Sequence, residues 1–365
     1  MEHRIDHNTI VIGGGQAGLV AGYQLKARGI DFVILDASGR IGDAWRHRWD
    51  SLRLFTQARM NGLPGMKFPA SGNEFVTKDE VADFLEDYAR AMELPVRSGV
   101  RVERLERSGD DFVVTASGGE RLRAHNVIVA MAGYQKARIP EFATELDPGI
   151  VQLHSSAYKN PSQLQHGPTL IVGLGNSGAD IALEVATTHP TIVSGTESGH
   201  VPFALESWFG RHIGTRLVRF AAVKVLNTST PIGRRARPKM LTKSAPLVRV
   251  RPKNLASVGV ERVGRITHIE GGRPVSEDGV SLDVTNVIWC TGFRPGFEWI
   301  DLPVLDDAGK PIQERGIVRD QPGLYFLGLF FLHALWSETI TGMQPDAVHI
   351  VDHLAKHRTA PVPVA

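Results

Sequence analysis

Two segments of this 365-residue chain repeat one device, and that repeat constrains the fold more than anything else in the sequence. The first copy reads Thr9-Ile10-Val11-Ile12-Gly13-Gly14-Gly15-Gln16-Ala17-Gly18 and ends at Phe32-Val33-Ile34-Leu35-Asp36. The second reads Thr169-Leu170-Ile171-Val172-Gly173-Leu174-Gly175-Asn176-Ser177-Gly178 and runs on to Thr191-Ile192-Val193-Ser194. Each is an apolar β-branched run, a G-x-G-x-x-G turn, a helical pattern and a second apolar run. That order is the dinucleotide fingerprint, in which a tight turn brings backbone against a pyrophosphate and a helix N-terminus faces the anion. One such motif is weak evidence. Two, each in strand–turn–helix–strand context, predict two dinucleotide sites, one for a flavin and one for a nicotinamide.

A second repeat follows the first. Gly99-Val100-Arg101-Val102 leads through a Gly-rich hairpin to Asn126-Val127-Ile128-Val129, and Gly259-Val260-Glu261-Arg262 leads to Asn286-Val287-Ile288-Trp289. Apolar strand-like sequence resumes at Leu324-Tyr325-Phe326-Leu327. The predicted class is α/β, with two Rossmann-like dinucleotide-binding domains of three ββα layers, the second inserted in the first. Residues 1–150 and 280–365 are assigned to FAD, and 151–279 to NAD(P), with an extra segment at about 201–255. In that segment Phe209, Ile213, Leu217 and Phe220 recur at helical spacing, as for a lid, a membrane-surface patch, core or dimer packing. Thr77 followed by Glu80 predicts a capped helix burying Val81, Phe84, Leu85 and Tyr88.

Composition excludes several classes. Net charge is +2, so no nucleic-acid partner is expected. The basic residues Arg234, Arg235, Arg237, Lys239, Lys243, Arg249, Arg251 and Lys253 form a local cluster, read as a solvated face or as a site for phosphate or a membrane surface. The single cysteine, Cys290, removes dithiol–disulfide reductases, which share the two-nucleotide plan, and is expected to be a buried structural thiol. No signal peptide precedes the first strand and no uncharged run reaches spanning length, so a cytoplasmic protein is expected. A homodimer stays open.

Gly13, Gly15, Gln16, Ala17 and Gly18 are expected to hold the FAD pyrophosphate, and Asp36 to accept from ribose hydroxyls. Ala37, Arg40, Gly42, Trp45 and Val102 complete that set, with Arg40 over the adenine and Val102 meeting it through backbone. Gly173, Gly175, Asn176, Ser177 and Gly178 are expected to hold NADPH or NADH. NADP-preferring sites carry arginine after the second strand, whereas this chain has Thr196 and Glu197 there; a carboxylate at 197 would repel a 2′-phosphate, so both donors are expected to work. Arg211, Arg249 and Arg251 are the cations that could offset it.

The segments Gly13-Gly14-Gly15-Gln16-Ala17-Gly18-Leu19, Gly42-Asp43-Ala44-Trp45, His154-Ser155-Ser156-Ala157-Tyr158, Gly173-Leu174-Gly175-Asn176-Ser177-Gly178-Ala179-Asp180 and Cys290-Thr291-Gly292-Phe293-Arg294-Pro295 occur in that order. Together they resemble the class B flavin-containing monooxygenases, with their Baeyer–Villiger and YUCCA relatives. The resemblance is closest to short bacterial members, often labelled flavoproteins involved in potassium transport. It implies FAD reduced by NAD(P)H, O2 captured as a flavin C4a-hydroperoxide, and oxygenation of a small lipophilic sulfur or nitrogen compound. It also implies that the protein's part is binding, orientation and exclusion of water. An NAD(P)H oxidase releasing hydrogen peroxide and a nucleotide-binding redox regulator are the alternatives.

The chain departs from the family pattern in places. His154 and Tyr158 fit the signature F-x-G-x-x-x-H-x-x-x-Y/F/W, but Pro148 and Ile150 stand at its Phe and Gly positions. His154 is expected to couple the domains. The usual A-T-G linker reads Ala130-Met131-Ala132-Gly133, and Ala132 restricts angles that glycine allows. Gln57 and Asn61, with Thr56 beside them, are the candidates for the flavin-proximal side chain. Trp336 and His333 are read as packing residues or as the border of the substrate pocket.

Overall fold

The computed structural model describes residues 5–70, 72–196, 199–242 and 245–357. The first apolar run forms the strand His7–Ile12, whose last five residues are all buried. It pairs in parallel with Phe32–Asp36 on one side, Ile10 opposite Val33, and with Arg121–Val129 on the other, Ile10 opposite Val127. Such runs, apolar on both faces, are what a parallel sheet covered on both sides requires. The sheet has seven strands. Val96–Ser98 lies at one edge, and the antiparallel pair Asp111–Ala116 and Val102–Ser108 at the other. Leu324–Phe326 joins Arg121–Val129 in parallel, Leu324 opposite Val127.

The second sheet has five parallel strands in the order Val151–His154, Asn286–Trp289, Thr169–Val172, Thr191–Ser194 and Glu261–Val263. Its strands thus fall, in sequence, between those of the first sheet. The expected division at 280 is too early. Ile288 pairs with Leu153 and with Ile171, so Asn286–Trp289 is an interior strand of the second sheet, and the chain leaves that sheet only after Trp289. The second trailing ribbon differs from the first: Ile266–Glu270 and Arg273–Ser276 form a two-stranded sheet of their own.

The two crossings between sheets meet. Lys136–Ala137 of the first pairs antiparallel with Phe293–Arg294 of the second, Ala137 opposite Phe293. The Arg138 amide donates to the Gly292 carbonyl at 3.0 Å, and the Thr291 hydroxyl donates to the Arg138 carbonyl. Ala132 and Gly292 occupy equivalent places in the two crossings, and both have left-handed backbone, φ +57° and +82°. For the alanine this conformation costs about 1–2 kcal/mol, so the first crossing carries strain that glycine relieves in the second.

The helix Lys78–Ala91 has the expected capping box, in which the Thr77 hydroxyl accepts from the Glu80 amide and the Glu80 carboxylate accepts from the Thr77 amide. Val81, Phe84, Leu85 and Tyr88 are all buried on its inner face. The extra segment is helical, running through π-helix Gly210–Gly214, α-helix Thr215–Phe220 and π-helix Ala221–Val225. Its spaced apolar residues are not core: Phe209, Ile213, Leu217 and Phe220 are 43, 40, 57 and 62% exposed.

Candidate active site

The glycines of each turn divide the labour in the same way. Gly13 has φ +109°, and a Cβ there would stand 3.0 Å from the Ala130 carbonyl; Gly18 is tighter, with a Cβ 1.8 Å from the Gly13 oxygen. Gly173 has φ +108° with its Cβ position 2.5 Å from the Cys290 oxygen, and Gly178 would meet the Gly173 oxygen at 1.9 Å. These four are fixed by the fold itself. Gly15 and Gly175 are different, because a Cβ at either meets nothing within 4 Å. Each precedes a helix, Gln16–Lys26 or Asn176–Val185, whose N-terminal amides have no side-chain cap. An uncapped helix start behind an open glycine fits a pyrophosphate.

Both turns open into one cleft of about 2050 Å³. Its walls include Gly13, Gly15, Gln16, Ala17, Asp36, Ala37, Trp45 and Val102 from the first unit. From the second come Gly173, Gly175, Asn176, Ser177, Gly178 and Thr196. The Asp36 carboxylate accepts from the Gly14 amide at 2.5 Å and the Ser38 amide at 2.7 Å, which fixes it at the strand end. Trp45 donates from Nε1 to Gln16 Oε1 at 3.2 Å, and Asn176 holds the second turn to the 245–248 segment by accepting from the Val248 amide at 2.9 Å. Glu197 lies outside the described residues, as does Lys243.

Several expected residues stand elsewhere. Arg40 does not reach the cleft, because its guanidinium pairs with Glu86 at 2.6 Å. Gly42, φ +90°, packs on the helix Lys78–Ala91, where a Cβ would meet the Ala82 oxygen at 2.6 Å. Gly18 is buried behind its turn. Gln57 and Asn61 are fully buried and satisfied within the protein. The Gln57 amide donates to the Arg211 carbonyl at 2.8 Å, and Asn61 Oδ1 accepts from the Thr56 hydroxyl at 2.6 Å. Thr56, beside Gln57 in the chain, is the one that reaches the cleft wall. His333 turns away from the cleft to the Thr228 hydroxyl at 2.8 Å, and burial pushes its pKa down to about 4. Trp336 does line the cleft, with its ring centroid 5.8 Å from that of Phe55. Cys290 is only half-buried, on the cleft wall; burial of its sulfur pushes the thiol up to about 12, which keeps it protonated and unreactive.

His154 joins strand to crossing. One ring nitrogen, Nε2, is 3.0 Å from the Gly292 carbonyl, the other, Nδ1, is 2.8 Å from the Ser156 hydroxyl, and the ring meets Phe293 edge-on. Its burial lowers the pKa, so the neutral ring donating from Nε2 is favoured. Sequence motifs gave no warning of the polar group opposite. The Tyr134 hydroxyl donates to the Glu338 carboxylate, and Tyr134, Glu338 and Arg48 all line the cleft. Arg48 also stands over the Phe293 ring, 5.7 Å from its centroid. Burial pushes Glu338 up to about 7, against the opposing effect of the Tyr134 hydrogen bond. Tyr134 is raised too, by burial first and the Glu338 charge second. Tyr134 is 45% exposed and lines the cleft.

The chain is similar to known flavoenzymes over nearly its whole length. The family model for pyridine nucleotide-disulphide oxidoreductases matches residues 10–200. An oxidoreductase of Geobacillus kaustophilus designated CzcO-like is 38% identical over 98% of this chain and all of its own length. The indole-3-pyruvate monooxygenase YUCCA1 of rice is 29% identical over 94% of this chain and 90% of its own. A flavin-containing monooxygenase from Stenotrophomonas maltophilia superposes with a TM-score of 0.78 at 28% identity, covering 97% of this chain and 99% of that one. This chain belongs to the class B flavin monooxygenases. Its cofactors are FAD and NAD(P)H, and the flavin monooxygenase has no dithiol, since Cys290 is its one cysteine. Among its described residues no helix is long and apolar enough to cross a membrane.

Proposed function

We propose that this monooxygenase holds FAD on the Gly13–Gly18 turn and NAD(P)H on the Gly173–Gly178 turn. We further propose that it oxygenates a small lipophilic sulfur or nitrogen compound with O2. The observation that carries the reading is the shared cleft, in which two open glycines precede uncapped helices and face one space. Flavin reduced by nicotinamide supplies the chemistry that activates dioxygen. The chain's residues bind, orient and exclude water. An apolar end of the cleft, with Val218, Leu226, Met240, Trp336 and Ile340, suits a lipophilic substrate. The Leu335 amide donates to the Leu226 carbonyl at 2.9 Å, which ties that wall to the C-terminal turn. His154, bonded to the Gly292 carbonyl, is placed to couple the second sheet to the crossing. Monooxygenation consumes a proton, and Glu338, titrating at about 7 beside the Tyr134 hydroxyl, is the cleft group suited to hold it at its carboxyl oxygen.

Anaerobic NADH or NADPH should bleach the yellow protein, and oxygen should restore the colour. With a thioether or tertiary amine present, oxygenated product should match the nicotinamide consumed. Hydrogen peroxide accounting for all of that nicotinamide, whatever substrate is offered, would assign the protein as an oxidase instead. Both donors should work. Arg249 is not free for a 2′-phosphate, because it pairs with Asp180 at 3.3 Å, and Arg211 lies over the Phe75 ring. Arg265 is the better placed cation. It lines the cleft next to the end of Thr191–Ser194, where the Ser194 hydroxyl donates to the Gly264 carbonyl at 2.9 Å. Arg265→Ala should weaken NADPH binding about tenfold, the loss of one charge-assisted bond, and leave NADH binding unchanged. Equal losses for both donors would remove Arg265 from phosphate recognition.

The Glu338 carboxyl gives a pH test. Its folded pKa is raised above the unfolded value, so its contribution to stability is full at low pH and is lost as pH rises through about 7. Between pH 5 and 8 the wild type should lose thermal stability relative to Glu338→Gln, which cannot ionise there. Parallel pH profiles of melting temperature for the two proteins would show that Glu338 has no raised pKa.

A further inference from the structure

Charge is distributed very unevenly along this chain. Residues 207–260 contain twelve Lys and Arg and no Asp or Glu, leaving 29 Lys and Arg against 39 Asp and Glu on the remainder. The near-neutral total hides a strongly basic block on an acidic body. That block includes the helical run Gly210–Val225 and the helix Pro231–Leu241. Both helices have two jobs. On the inside, Val218 and Ala222 from the first, Leu226 just after it, and Ala236 and Met240 from the second wall the cleft. On the outside, Trp208, Leu217, Phe220 and Ile232 are 69, 57, 62 and 60% exposed. Trp208 stacks on His212 one turn further along, with ring centroids 5.0 Å apart. Arg216, Arg219, Lys224, Arg234 and Arg235 are exposed around these apolar side chains.

We propose that this outer face docks on an anionic lipid surface, lying in the headgroup layer without crossing it. Large apolar side chains interleaved with Lys and Arg, with no acidic residue, match the interfacial helix pattern. Trp and Phe suit the boundary between headgroup and acyl chain. Each basic residue near an anionic leaflet adds electrostatic attraction that salt screens. A second copy of this chain is a poor occupant, because a two-fold interface would set the basic block against itself. Nucleic acid would answer the charge but leave Leu217 and Ile232 without a partner. Docking also has a consequence that rests on the proposed substrate class. The helices that would touch lipid are the ones that wall the apolar end of the cleft, so a lipophilic substrate dissolved in the bilayer would reach the cleft from the side.

The test uses the full FAD-loaded protein and sedimentation with vesicles of phosphatidylcholine alone or enriched in phosphatidylglycerol. The wild type should sediment with the phosphatidylglycerol vesicles, weakly with phosphatidylcholine alone, and less as salt is raised. Leu217→Glu with Phe220→Glu should lower the apparent affinity at least about tenfold. Arg216→Glu with Arg235→Glu should do the same. Both variants should keep the flavin content and the vesicle-free NADH oxidation rate of the wild type, which separates lost docking from lost folding and from failure of the monooxygenase reading. Variants that sediment like the wild type would overturn the proposal. So would equal binding to both vesicle types, or no vesicle binding together with a dimer in light scattering that the Leu217→Glu, Phe220→Glu variant turns into monomer.

Discussion

Gly15→Val is expected to give a folded protein without flavin. The residue has φ −74° and ψ −174°, extended backbone that any amino acid adopts, and an added Cβ meets nothing within 4 Å. The chain therefore has no reason of its own to keep glycine there. The isopropyl group would project into the cleft in front of the helix Gln16–Lys26, where the pyrophosphate must approach the amides. The purified variant should be colourless and should melt where flavin-stripped wild type melts, since what it loses is ligand-linked stability. Gly18→Val serves as the contrast. Its Cβ would lie 1.8 Å from the Gly13 oxygen, so that variant should fail to fold with or without FAD. Near-stoichiometric FAD in folded Gly15→Val would move the flavin away from this turn.

The same comparison shows how much of the molecule was legible from sequence. The parallel strands of the two sheets followed from buried β-branched runs such as Thr169–Val172, and the helix Lys78–Ala91 from Thr77, Glu80 and a helical apolar stripe. These are local signals with a fixed period, and a linear reading recovers them. The domain boundary was misplaced because Asn286–Trp289 would suit either sheet: four buried residues in sequence do not name their neighbours, and only the register with Leu153 and Ile171 does. Gln57 and Asn61 were plausible by position, but position does not fix direction. Both amides were claimed by nearby backbone and hydroxyl groups, leaving Thr56 to face the cleft. Tyr134 and Glu338 carry no motif at all. They are separated by 204 residues and become a pair only because the first crossing and the turn after Leu324–Phe326 line the same cleft. Charge pattern was partly legible: the cluster at 234–253 was visible, while its continuity with the exposed helix at 210–225 needed the fold.

Gly175→Val should separate the two cofactors. Like Gly15 it has extended backbone, φ −91° and ψ −172°, with open space above it, and it precedes the uncapped helix Asn176–Val185. The first turn is built from different strands, so FAD should stay at the wild-type level and the protein should be yellow. NADH and NADPH should both reduce it at least about a hundredfold more slowly at sub-saturating donor, because a side chain in the pyrophosphate path costs ~3 kcal/mol or more of donor binding. Dithionite should still bleach the flavin at once, which places the defect in hydride delivery. Two results would count against the assignment. Normal reduction by nicotinamide would mean that hydride enters elsewhere in the cleft. Loss of FAD as well would mean that the turns are not independent, and the paired crossings at Ala137 and Phe293 would be the first place to look for the coupling. Their antiparallel pairing and the His154–Gly292 contact are the observed connections through which a distortion behind Gly175 would reach the first sheet.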